Sequence, residues 1–157
     1  MDEEKNLFTK PYDATLLAFS ILKRLDCGGV ETFSQRLRSQ KIQYFAQVFG
    51  ISPTYRFNLY LWGPYSPDLA NDLFEIKIHN IGVGGGKFLS EELEERFANL
   101  KKFIGGKNNR QLELIATAHW LIKKAGYSGA KAEEMLSKLK DATPEEVEYS
   151  FNSIKEL

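Results

Sequence analysis

Residues 40–74 decide the fold, and they read QKIQYFAQVFGISPTYRFNLYLWGPYSPDLANDLF. The spacing of the first part predicts an aromatic-rich helix that ends at Gly50. Large apolar and polar side chains alternate over residues 55–62, which predicts a half-buried strand. A Gly-Pro pair then breaks the strand, and Ser66 caps a new helix. This order of helix, strand and helix is typical of a recognition module rather than of a catalytic pocket.

Helices are predicted on both sides of this stretch. Thr32 and Gln35 form a T-x-x-Q capping box, so the aromatic-rich helix should begin there. An apolar helix is expected upstream, over residues 13–26. Residues 76–88 predict a short strand or hairpin with a mobile glycine-rich tip. Beyond it, four further helices are expected, about 90–104, 108–125, 130–140 and 143 onward.

These elements predict an α+β fold that is predominantly α. We expect a winged-helix-like N-terminal part with a small sheet over residues 1–88. A helical C-terminal part over residues 89–157 should pack on it as one globule. The chain has 157 residues, which is enough for one domain with a proper core.

Composition excludes several classes of function. The formal net charge is zero, so no global basic field indicates nucleic acid. The single Cys27 cannot form an internal disulfide, the N-terminus lacks the apolar run of a signal peptide, and no stretch is apolar enough to span a membrane. We therefore expect a cytoplasmic protein without a membrane segment.

Catalytic and cofactor motifs are missing from the sequence. The glycine cluster at residues 82–86 fails as a phosphate loop, because Ile81 and Phe88 occupy positions that need Gly and Ser or Thr. His79 and His119 stand apart from any Cys or paired carboxylate at metal-ligand spacing. We expect no enzyme activity, no cofactor and no metal.

A polar stripe on the aromatic-rich helix raises the possibility of DNA binding. Its members recur at helical spacing and are Arg36, Gln40, Gln43 and Gln47. Gln and Arg are the side chains that read base edges. Arg38, Lys41 and Arg56 could contact phosphate. Residues 32–67 contain no Asp or Glu. The alternative interpretation is a solvated polar helix face. The nucleic-acid candidates are Arg36, Arg38, Gln40, Lys41, Gln43 and Gln47.

The outward face of the predicted strand suggests a protein interface instead. It is rich in Tyr, Trp and Arg, the residue types enriched at interface hot spots. The alternative is that the C-terminal helices cover this face. The partner-binding candidates are Arg56, Tyr60, Trp62 and Tyr65.

Two motifs resemble known families. Residues 41–47, KIQYFAQ, are similar to the KLLYFAQ-type helix of the SocA-like antitoxin (Panacea) domains, and residues 60–64, YLWGP, resemble the aromatic-Gly-Pro step that follows it. The fuller string over residues 55–73 is similar to a YwgA-like group. The resemblance covers about residues 14–88. It implies a compact, mainly helical domain with a small sheet that works in regulation or protein binding.

The leading functional prediction is a non-enzymatic binding protein. It would act as a regulator or antitoxin-like adaptor through a protein partner, with a homodimer as a further option. The alternative is a sequence-specific DNA-binding transcriptional regulator that uses the polar stripe.

Overall fold

The computed structural model describes residues 20–25, 29–51, 55–79 and 91–157. Within these ranges the chain is mostly helical and carries a small two-stranded antiparallel sheet. Helix α1 covers residues 20–24. The other elements, in chain order, are α2 (Phe33–Val48), β1 (Asn58–Tyr60), β2 (Gly63–Tyr65), α3 (Pro67–His79), α4 (Glu91–Ile104), α5 (Asn109–Lys123), α6 (Gly129–Lys140) and α7 (Pro144–Ile154).

Capping side chains set the starts of the helices as the sequence predicts. Thr32 and Gln35 form both bonds of a capping box at the start of α2. The same box opens α5 and α7, and the Ser66 hydroxyl accepts a hydrogen bond from the Leu69 N–H in the first turn of α3. Each cap satisfies backbone N–H groups that have no partner inside the helix. The predicted starts of these helices are confirmed.

The predicted strand over residues 55–62 is too long at both ends, because the observed strand covers only Asn58–Tyr60. The strand ends at Tyr60, two residues form a turn, and Gly63–Tyr65 returns as a second strand. The pairing is antiparallel, with Leu59 opposite Pro64. Gly63 has a φ of 84°, a left-handed conformation that glycine adopts without strain. The chain therefore reverses at Leu61 and Trp62, and the Gly-Pro pair begins the second strand instead of ending the sheet.

Helix α3 is longer than predicted, and this corrects the start of the hairpin expected over residues 76–88. The backbone stays helical through His79. The remainder of that predicted hairpin, including its glycine-rich tip, lies outside the described residues.

Two apolar clusters meet on helix α5. The larger one contains Ile42, Phe45, Leu69, Leu100 and Ile115, so it joins α2, α3, α4 and α5. The smaller cluster joins α5 to α6 and α7, and its fully buried members include Leu114, Leu121 and Leu136. Helix α5 is apolar on two opposite faces because it lies between these two layers. Its polar edge, at Glu113 and Thr117, faces the hairpin.

Alanine at Gly63 should destabilise the protein more than alanine at a matched open glycine. A Cβ at Gly63 would lie 2.8 Å from Thr117 Oγ1 and 3.5 Å from Glu113 Cγ, whereas a Cβ at Gly106 meets nothing within 4 Å. Both positions have positive φ. Gly106→Ala should cost about 1 kcal/mol through backbone strain alone, and Gly63→Ala about 3 kcal/mol because overpacking is added. Urea unfolding of both variants measures the difference, and equal losses would contradict the close packing of the hairpin on α5.

Candidate functional site

A cluster of exposed apolar side chains lies on and beside the hairpin. We call it the hairpin patch, and it consists of Phe33, Tyr60, Leu61, Trp62 and Tyr65. Leu61 is 76% exposed at the hairpin turn, and Trp62 is 44% exposed. Trp62 packs edge-on against Phe33 at a centroid distance of 5.1 Å, and Tyr60 packs against Tyr65 at 5.6 Å. Exposed apolar side chains that pack on one another in this way mark interaction sites more often than scattered ones do.

Two lysines hold the hairpin from behind through backbone carbonyls. The Lys41 ammonium donates a hydrogen bond of 2.8 Å to the Pro64 carbonyl oxygen. The Lys140 ammonium donates to the Leu61 carbonyl oxygen at 2.6 Å and to Glu113 Oε1 at 2.7 Å. These charge-assisted bonds reach both the turn and the second strand, so they fix the hairpin on helices α2, α5 and α6.

Helix α2 holds the chain just beyond the hairpin as well. The Gln40 side chain accepts from the Ser66 N–H at 2.9 Å and donates to the Ser66 carbonyl oxygen at 2.9 Å. The Gln47 amide donates to the Tyr55 carbonyl oxygen at 2.8 Å, on the near side of the hairpin. Buried backbone groups need partners, and here glutamines supply them in place of a third strand.

These contacts correct the prediction that the polar stripe is an exposed DNA-reading face. Gln40, Lys41 and Gln43 are buried, and Gln40 and Gln47 bind the backbone on either side of the hairpin. Arg36 donates to the carbonyl oxygens of Val30 and Glu31, and Arg38 donates to the Lys107 carbonyl oxygen. Gln40 and Gln47 are polar because they bond to the backbone of residues 55–66, and Arg36 bonds to the backbone just before α2.

The predicted partner-binding face lies at the surface. Arg56, Tyr60 and Trp62 are exposed, and Tyr65 is half-buried. The alternative in which the C-terminal helices cover this face is wrong. The strand pattern places Leu61 on the buried face of a longer strand, and Leu61 is exposed because the chain turns there. Sequence reasoning misses Phe33, Lys140 and Glu113, since only the fold brings them to the hairpin.

Trp62 also borders a small cavity between helix α2, the hairpin turn and helix α5. The cavity has a volume of about 150 Å³. Its polar lining includes three cations and one carboxylate, and its apolar lining is Leu37 and Trp62. The lining residues are Leu37, Arg38, Lys41, Trp62, Asn109, Arg110 and Glu113.

Burial alters the ionisation of Lys41 at the back of this cavity. Only 2% of the residue is exposed. Desolvation lowers its pKa to about 8, the nearby charge of Lys140 acts in the same direction, and Glu113 opposes the shift. At neutral pH the ammonium is therefore charged in most molecules, and it is held in a poorly hydrated position.

A buried polar pair also joins helices α2 and α5. The Tyr44 hydroxyl and His119 Nδ1 are 2.6 Å apart. Burial lowers the pKa of His119 to about 4, so its imidazole is neutral at physiological pH. In the described part of the chain, no three His, Cys, Asp or Glu side chains are grouped closely enough to hold a metal ion. No helix among the described residues has the length and apolar character needed to cross a membrane.

No known protein family, curated protein or solved structure matches this chain. The geometry of the hairpin patch and of the cavity beside it is therefore the basis for a functional proposal.

Replacing Lys41 by Met should change how stability depends on pH. Folding lowers the pKa of Lys41 from 10.5 to about 8, so the unfolded chain binds more protons between these values and stability rises with pH across that window. Met lacks this titration. The free energy of unfolding of the wild type relative to Lys41→Met should rise by about 2 kcal/mol from pH 7 to pH 9.5.

Chemical unfolding at a series of pH values measures this difference in unfolding free energy. Groups that titrate in both proteins contribute equally to each and cancel in the difference. Lys102→Met, which removes a lysine exposed on α4, controls for the loss of one positive charge. A difference between wild type and Lys41→Met that stays flat over the window would contradict the buried position of Lys41.

Proposed function

We propose that this chain is a non-enzymatic binding protein that contacts a protein partner through the hairpin patch. The observation that carries the proposal is Leu61, which projects at the hairpin turn, 76% exposed and flanked by aromatic rings. Trp and Tyr, the residue types beside Leu61 in the sequence, are enriched at interface hot spots, and side chains held on a rigid support lose little entropy on binding. The bonds from Lys41 and Lys140 provide that support.

The role we propose is that of a cytoplasmic regulator or antitoxin-like adaptor. The resemblance of residues 41–47 and 60–64 to the SocA-like antitoxin and YwgA-like sequences supports it. We also propose that the N-terminal part is winged-helix-like, with the hairpin of β1 and β2 as the wing beside α2. DNA binding through the polar stripe is not proposed, because Gln40, Lys41 and Gln43 are buried.

Changes at the hairpin patch should weaken partner binding without unfolding the protein. Leu61→Asp places a charge on a side chain that is 76% exposed, and Tyr60→Ala removes an exposed ring. Each should weaken binding by about 2 kcal/mol or more, which is roughly thirtyfold in Kd. Tyr149→Ala on helix α7 is the matched control, since this tyrosine is exposed to a similar degree and lies away from the hairpin.

The measurement begins with affinity capture from lysate by the immobilised wild type, Leu61→Asp and Tyr149→Ala proteins. The Kd of each captured protein is then determined with purified components. Light scattering of the free proteins is run first. A wild-type dimer that becomes a monomer in Leu61→Asp would identify a second copy of this chain as the partner. Captured proteins that bind Leu61→Asp as tightly as the wild type would contradict the proposed function.

A further inference from the structure

The cavity beside Trp62 has an unbalanced charge. Three cations and one carboxylate line it, namely Arg38, Lys41, Arg110 and Glu113. Lys140 and Glu146 form ion pairs with two of these residues. Lys140 pairs with Glu113 at 2.7 Å, and Arg110 pairs with Glu146 at 3.0 Å. Within the described residues, Arg38 and Lys41 bond only to neutral oxygens. The site therefore carries two more positive than negative charges, in a chain whose formal net charge is zero.

Arg38 and Lys41 both have N–H groups that can donate a hydrogen bond to an additional acceptor. Arg38 bonds to the Lys107 carbonyl oxygen and to Asn109 Oδ1 through one terminal nitrogen, Nη1. A guanidinium has five N–H donors and an ammonium has three, so Arg38 and Lys41 can each donate more hydrogen bonds. Lys41 is 2% exposed, and water cannot fully solvate it. Glu113, whose charge acts on Lys41, is already paired with Lys140. An anion in the cavity would offset the remaining cost of burying the Lys41 charge.

The volume and the lining of the cavity suit a single carboxylate-bearing side chain. Its volume of about 150 Å³ is close to that of an engineered cavity that holds a benzene molecule. It is smaller than the pockets of about 300–1,000 Å³ that enclose cofactors and drug-sized ligands. Leu37 and Trp62 form an apolar side that suits the methylene groups of Asp or Glu, and the planar guanidinium of Arg38 suits a carboxylate.

We propose that this cavity binds the carboxylate of an Asp or Glu side chain from the protein partner, next to the apolar residue that packs on the hairpin patch. This inference rests on the proposed function, because the cavity and the patch share Trp62. The charge of the cavity favours an acidic peptide over a basic one. Duplex DNA is disfavoured because its phosphates would have to reach a lysine that is almost fully buried.

Selection of peptides on the purified protein tests this inference while the partner is still unidentified. Random linear peptides displayed on phage are selected on the full chain, and the tightest binder is synthesised. Selected sequences should carry Asp or Glu beside a large apolar residue. Changing that acid to its amide should weaken binding to the wild type about tenfold or more, because a hydrogen-bonded charge is lost.

A double-mutant cycle then assigns the carboxylate to the cavity. On Arg38→Gln, the acidic peptide and its amide version should bind with nearly equal Kd, since the interaction is already gone. Arg38→Lys serves as the second cavity variant if Arg38→Gln fails to fold, because it keeps the charge but loses the planar guanidinium, and the difference between the two peptides should shrink on it. Lys102→Gln removes an exposed positive charge away from the cavity, and it should preserve the tenfold difference between the two peptides.

The outcomes separate this inference from the proposed function. Selected peptides that bind Leu61→Asp weakly but show no preference for Asp or Glu would contradict the carboxylate site and support the hairpin patch. Peptides that need Arg38 but bind Leu61→Asp normally would keep the carboxylate site and overturn the patch. Failure to select any peptide, or an Arg38-dependent preference for duplex DNA over peptide, would overturn the carboxylate site, and the capture experiment would then decide the proposed function by itself.

Discussion

The hydrogen bond from the buried Lys41 ammonium to the Pro64 carbonyl oxygen is the interaction on which the functional surface depends. A two-stranded hairpin of three residues per strand has little stability of its own in water. Here the hairpin is stabilised from outside the sheet, by Lys41, Lys140 and the Gln40 amide. The neighbouring helices thus take the place of additional strands, and the apolar side chains of the turn remain free to face a partner.

Using a lysine for this purpose has an energetic cost. Desolvation lowers the pKa of Lys41 to about 8, so the folded protein holds a charge in an unfavourable position at neutral pH. An apolar residue at position 41 would avoid that penalty but would leave the Pro64 carbonyl oxygen without its donor. If the proposed site beside Trp62 binds a partner's carboxylate, that carboxylate would offset the cost of burying Lys41, because it would add a negative charge beside the ammonium.

Helix starts can be predicted well from the sequence, whereas contacts between residues distant in the sequence cannot. Capping residues such as Thr32, Asn108 and Thr143 act within three or four positions, so the starts of α2, α5 and α7 can be predicted correctly. The hairpin is not predicted because the alternation of apolar and polar side chains continues past the end of the strand at Tyr60, so Leu61 fits the pattern of a longer strand. The polar stripe is misinterpreted because helical periodicity identifies a polar face without saying whether water or backbone lies opposite it. The extended segment that follows α2, whose backbone needs partners, is the signal that could have corrected this interpretation.

The composition of the hairpin patch is also only partly predictable, because some of its contacts join residues distant in the sequence. Tyr60 and Trp62 can be proposed for a partner surface from residue type alone, but Phe33 joins them only through a ring contact across the fold. Lys140 and Glu113 are distant in sequence and meet at the hairpin because α5 and α6 pack together.

Amide hydrogen exchange at Ser66 is the most direct test of the central claim that buried polar side chains of α2 hold the hairpin in place. The Ser66 N–H donates to Gln40 Oε1 and lies in a buried position. It should exchange slowly in the wild type. In Gln40→Ala it should exchange much faster, while amides in the middle of α5 keep their protection. An unprotected Ser66 amide in the wild type, or unchanged exchange in Gln40→Ala, would contradict the account.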